Sequence, residues 1–260
     1  MRLSPIGAVT GLLLNFDTSD DYTTTGGGTS GYTGIAPGTM IQAAPTDGVI
    51  TTANVPNWGV CELVYALNTS ATTFLPGKVV TMDKNFAIAE VASTSGMGKP
   101  VWVTLSNFSA GNVTTQGGWV IRSGICPVTF SVAATAGPVY IGTAGNATPT
   151  LAAGKQILNA TTLIAASGSF TRSVTTYTAK SFVLTGNVAG MFVGQAISGS
   201  GIPASSVISS IDPGGTGVYI GSAVGTLVTA TASATVTGTF THTGYGIVQI
   251  DRPIAQGNIT

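Results

Sequence analysis

Short runs of alternating apolar and polar residues, broken by Gly/Pro turns, dominate the chain from Trp58 onward. Val60–Ala66 is the first strand-like run, followed by a turn at Leu75-Pro76-Gly77. Lys78–Met82 and Phe86–Val91 flank a second turn at Asp83-Lys84-Asn85. Val101-Trp102-Val103-Thr104-Leu105 places Val, Val and Leu on one face, the period expected of a half-buried strand. Trp119–Arg122, Val128–Val132, Gly137–Gly142 and Gln156–Leu158 continue the series. No segment carries a sustained helical period. Short strands at intervals of about 8 to 15 residues with Gly/Pro turns predict an all-β protein built on a small sandwich or barrel.

The pattern changes near Ser169. Phe182-Val183-Leu184, Val207–Ile211, a turn at Asp212-Pro213-Gly214-Gly215 and Val218-Tyr219-Ile220 form a second set of strands. After them the odd positions from Thr229 to Thr243 are all Thr or Ser, and the even positions from Val228 to His242 are mostly small and apolar. Period 2 at this length predicts a long strand or hairpin arm with one hydroxyl face. Gly246–Asp251 reads as a strand like those of the first block, so 169–243 is expected as an inserted β domain within a domain of residues 58–168 plus 244–260. Residues 1–57 read as an extended N-terminal arm. Its Thr/Gly-rich centre, Thr23 to Gly31, is too flexible to fold alone, and Leu12, Leu13, Leu14, Phe16, Tyr22 and Tyr32 supply apolar anchors for a partner. Pro5, Gly7 and Gly11 and the lack of a small-x-small cleavage site make the N-terminus a poor signal peptide.

Composition narrows the chemistry. Charged residues are 7% of the 260, with nine basic and nine acidic side chains and a formal net charge of zero. A typical domain carries roughly 25%. Without a basic excess, binding to nucleic acid through its phosphates is not expected. No apolar run of about 18 residues is present, so no membrane-spanning helix is expected. So little charge favours association with neighbours, and an obligate place in an assembly suits such a chain.

Candidate catalytic groups are few. His242 is the lone histidine, with no second His or nearby Cys in sequence to complete a metal site or a dyad. Asp20-Asp21 is the one adjacent acid pair, and an arm gives it no rigid cleft. Gly26-Gly27-Gly28 lacks the Lys-Ser/Thr of a phosphate loop. A threonine array that organises water needs several strands, and the sequence shows one, so a solvated ladder is expected. Trp102 and Trp119 lie in patterned strands and are expected in the core. Cys61 and Cys126 sit in apolar runs and are read as buried thiols, with a single bridge left open. No cofactor, metal site or enzymatic activity is expected.

Phe74–Val80, Ala89-Glu90-Val91, Gly98–Val103, Gly137–Gly142 and Ala153–Leu158 resemble the small β proteins that decorate tailed-phage capsids. Gly194–Ala204 with Ile208–Ile211 resembles a β-rich module of virion surface proteins. The 58–168 block and the insertion that hold these stretches cover about two-thirds of the chain, and the residues of the stretches are common ones. The resemblance implies a cement protein on the outer surface of the head, bound to the major capsid protein and associated with itself, often as a homotrimer. The alternative is a receptor- or glycan-binding fibre or adhesin module that meets a glycan or host surface through the insertion.

Overall fold

The computed structural model describes residues 3–5, 20–21, 36–45, 60–91, 98–111, 115–133, 135–164, 169–186, 188, 191–212, 215–241 and 244–256. Leu12, Leu13, Leu14, Phe16, Tyr22, Tyr32 and His242 lie outside the described residues. The described chain is all-β, as its patterning predicts.

The first sheet is built from β1 (Leu3–Pro5), β2 (Asp20–Asp21), β3 (Met40–Pro45), β4 (Cys61–Asn68), β5 (Val79–Met82), β6 (Ile88–Glu90), β7 (Trp102–Thr104), β8 (Gln116–Thr129), β9 (Gly137–Ile141), β10 (Ala147–Thr148) and β11 (Gln156–Ile164). The second holds β12 (Ser169–Thr176), β13 (Phe182–Leu184), β14 (Ala196–Ser198), β15 (Val207–Ile211), β16 (Gly217–Ala223), β17 (Thr226–Leu227) and β18 (Ala234–Thr241). The last strand, β19 (Tyr245–Ala255), returns to the first sheet between β8 and β11.

The first sheet runs β1-β3-β4-β8-β19-β11-β9-β10 and curls into a half-barrel. Its central strand β4 explains the curl. Leu63 and Tyr65 point into the main core, with the Tyr65 ring edge-on to Trp119 at 5.2 Å. Val64 and Ala66 point the other way, into a smaller cluster with Phe74, Val80, Ile88, Phe108 and Val120. A strand buried on both faces needs the unbroken apolar run Leu63-Val64-Tyr65-Ala66 rather than alternation. Gly117 opens β8 because a side chain there would collide with the Tyr65 hydroxyl.

One sequence expectation changes here. Trp119–Arg122 and Val128–Val132 read as separate strands, yet β8 runs unbroken from Gln116 to Thr129. Gly124, at φ +127°, lets it bend, and Pro127 stays in register opposite Ile247 of β19. Parts of the stretch read as an extended N-terminal arm contribute to this sheet. Met40–Ala43 pairs with β4, Leu3–Pro5 pairs with β3, and the backbone of Asp20–Asp21 pairs with Gln116 and Gly117.

In the second sheet the pairings β13-β12-β18-β14-β15-β16 are completed by β16 to β13, so six strands close into a barrel. Closure leaves no free edge among those strands. Phe170 and Phe240 face each other across β12 and β18 and stack inside at 5.0 Å. The period-2 stretch is shorter as a strand than its pattern predicts, since among its described residues only Ala234–Thr241 is strand. Residues before it leave the ladder to cross the barrel end, where Ala230 N–H donates to Lys180 C=O and Thr231 N–H to Gly201 C=O. The hydroxyl face is doubled, however. Ser169, Thr171, Ser173 and Thr175 on β12 lie opposite Thr241, Thr239, Thr237 and Thr235, and the Thr175 and Thr235 hydroxyls are 3.0 Å apart. Arg172 in β12 disguises that second row in the sequence.

Among the described residues an aromatic contact joins the two sheets. Met191 and Val193 turn into the barrel core, while Phe192 between them joins the core of the first sheet against Tyr245, ring centroids 4.8 Å apart. Gly194, at φ +89°, leaves room for the Tyr245 hydroxyl, which a Cβ there would strike. Burial pushes that hydroxyl up to about 12. The folded protein therefore holds this proton more tightly than the unfolded chain does. The resulting stability, roughly 2 kcal/mol, is present below about pH 10 and is lost as pH rises towards 12. Alkaline difference spectroscopy should show a late-titrating tyrosine that Tyr245→Phe removes. An unchanged late component in that variant would contradict the assignment.

Candidate functional site

Several of the polar side chains buried in this fold bind the backbone. Asn68 ties four groups of the loops beside β4, and Thr104 Oγ1 donates to Leu75 C=O at 2.6 Å. Lys78, half-buried, donates to Asn146 Oδ1 at 2.6 Å and Ala144 C=O at 3.2 Å, which anchors the 143–146 turn on β5. Burial lowers its ammonium from the ordinary lysine value, with Glu90 partly opposing. Cys61 and Cys126 are both fully buried. Burial pushes Cys61 up to about 11 against a weak bond to Ile125 C=O, and pushes Cys126 well above the ordinary thiol value, with Cys61 adding to the effect. Neither has the lowered value of a reactive thiol. Among the described residues no three His, Cys, Asp or Glu side chains gather as metal ligands.

Among the described residues the fold builds an apolar groove of about 370 Å³ on the first sheet. It is lined by Met40 of β3, Val64 of β4, Met82 of β5 and Trp102 of β7. Phe86 closes one side, and Pro100 and Ile254, joined by a β-bridge, close another. Arg122 of β8 and Arg252 of β19 are its charged residues. Volume and lining both fall within the usual range for ligand sites, apolar walls with few polar groups.

Local backbone chemistry delivers three of these side chains. Asp83 Oδ1 accepts from the N–H of Asn85 (2.8 Å) and Ala87 (2.9 Å), holding a turn in which Phe86 takes φ +61°. The Phe86 ring then lies against Gly38, where a Cβ would overlap it. Arg122 is the extra residue of a β-bulge, since Leu63 pairs with Ile121 and Glu62 with Ser123, leaving Arg122 unopposed on β4. Arg252 stands at φ +47°, where β19 stops pairing with β8 after Asp251. A left-handed conformation at a residue with a side chain costs about 1–3 kcal/mol and concentrates at functional positions.

The electrostatics are incomplete within the chain. Arg122 Nη1 points at the Met40 thioether, 3.2 Å from Sδ, a weak acceptor. Arg252 Nη2 reaches Glu62 Oε1 at 3.4 Å while its side chain is 62% exposed. An exposed single-contact pair of this kind adds well under about 1 kcal/mol. Glu62 Oε2 and Trp102 Nε1 are buried with no hydrogen-bond partner among the described residues. Trp119 is in the core as expected, whereas Trp102 is half-buried and lines the groove.

Sequence reasoning placed its candidate anchors in residues 12–32 and did not find this groove. One signal was available: in so uncharged a chain, Arg122 and Arg252 stand within strand-like runs. Comparison with known proteins finds no matching family model, curated protein or solved structure.

Proposed function

We propose that this chain is a structural, non-enzymatic protein of a phage virion: a decoration or cement protein that binds the major capsid protein on the outer surface of the head and stabilises the shell, associating with its own copies as a homotrimer. The observation that carries the reading is the division of labour between the two sheets. The half-barrel is open and offers an apolar groove edged by arginines, a surface suited to docking. The barrel is closed, owns a separate core and shows solvent a face of hydroxyls, so it serves as the outward-projecting part. Scarcity of charge supports close packing beside identical copies, and many weak contacts over a shell add through avidity. The resemblance of residues 74–80, 98–103 and 137–142 to capsid-decorating proteins points the same way.

Sedimentation of the purified intact chain with assembled heads, read together with its mass in solution, tests the proposal. The expected result is a trimer that saturates heads at hundreds of copies. A chain that ignores heads but binds glycans, and loses that binding in Tyr177→Ala, would replace this reading with a receptor-binding module. The doubled hydroxyl face of β12 and β18 is what favours that second reading.

A further inference from the structure

Phe86, Arg122 and Arg252 reach one groove from three separate backbone irregularities, two left-handed residues and one bulge. Bulges re-aim side chains, and strained residues persist where the surroundings hold them in place for use. Resting on the reading that the half-barrel is the docking surface, we propose that this groove receives an acidic peptide segment of the partner protein. A carboxylate sits on Arg122 and Arg252, and the apolar side chain next to it packs among Met40, Met82, Phe86 and Trp102.

Charge complementarity selects this occupant. The polar side chains of the lining, Arg122, Arg252 and Trp102, are all donors, so the groove asks for acceptors. Each guanidinium has five N–H groups. Among the described residues Arg122 uses one on a thioether and Arg252 one on Glu62, so the remaining N–H groups of each fork suit bidentate bonds to a carboxylate. The apolar walls exclude a purely acidic ligand such as a phosphate backbone, because most of the groove would then face unmatched charge. An aspartate or glutamate flanked by Leu, Phe or Met satisfies both halves of the site.

The probes are N-acetylated peptide amides Gly-Leu-Asp-Phe-Gly, its Asn counterpart and its Lys counterpart, fluorescently labelled and titrated against the intact chain. The Asp peptide should bind at least tenfold more tightly than the Asn peptide, with the preference weakening as salt is raised. Arg122→Gln with Arg252→Gln should abolish that preference, and Arg122→Glu with Arg252→Glu should reverse it in favour of the Lys peptide. Circular dichroism of each variant identifies any that unfold, and the reversal cannot arise from unfolding. Equal binding of Asp and Asn peptides, or displacement of the Asp peptide by decanoate at lower concentration than by unlabelled peptide, would overturn the assignment. Heads that retain full occupancy with the Arg122→Gln, Arg252→Gln chain would also overturn it while leaving the decoration reading intact. Failure of the unaltered chain to bind heads would strike that reading instead.

Discussion

Phe240→Ala is expected to melt the barrel while the half-barrel stays folded. Phe240 is fully buried, stacked on Phe170, and contributes to a core distinct from that of the first sheet. Truncating a buried phenylalanine costs about 3–5 kcal/mol, from lost transfer energy and the cavity left behind. Strands β12 to β18 pair only with one another, so the loss is confined to their cooperative unit. Hydrogen exchange should show amide protection collapsing across 169–241 and persisting in β4, β8 and β19. Equal loss of protection in both sheets would mean that the Phe192–Tyr245 contact couples them into one cooperative unit.

Asn68→Asp is expected to cost about 3 kcal/mol or more at pH 7, and less in acid. Asn68 is fully buried at the end of β4. Its Nδ2 donates to Thr72 C=O and Ser109 C=O, each at 2.7 Å, and its Oδ1 accepts from Ser70 N–H and Ser70 Oγ. A carboxylate turns both donations into contacts between oxygens and buries a charge that lacks a cation. The neutral acid restores one donation, so the folded protein raises this carboxyl above its unfolded value of about 3.9. Stability is then greatest below that value and falls as pH rises through the folded one. Urea titrations at pH 4 and pH 7 measure the difference. A penalty equal at both would show that lost shape, not charge, governs the site.

Much of the fold is legible along the chain because strands announce themselves locally. The Val/Val/Leu face of residues 101–105 is buried as its alternation requires. The turns at Pro76-Gly77 and Asp83–Asn85 stand where their residues place them, with Gly77 at φ +84° and Asp83 capping its own loop. Legibility fails where the reason is not local. Nothing near Gly124 says that β8 continues past it, because continuity depends on β19, which supplies Asp251, Ile250 and Gln249 as partners across the bend. The pattern from Thr229 onward overstates its strand because alternation records which side faces water, and a chain crossing a barrel end keeps that distinction without a ladder partner.

The groove was illegible for the same reason. Met40, Met82, Phe86, Trp102, Arg122 and Arg252 come from six segments, and apart from the two arginines each reads locally as an ordinary strand or turn residue. Arg122 enters it only because β4 and β8 slip by one residue at Glu62.

The sequence by itself determined the class of structure and its surface character: β-strands throughout, little charge, a hydroxyl face, and few groups able to do chemistry. Composition and period are local quantities, readable without partners. Only the tertiary structure decided that one sheet closes into a barrel and the other stays open. It also brought two arginines far apart in the chain to one apolar groove. Closure and convergence depend on pairing register between distant strands, which no single segment encodes.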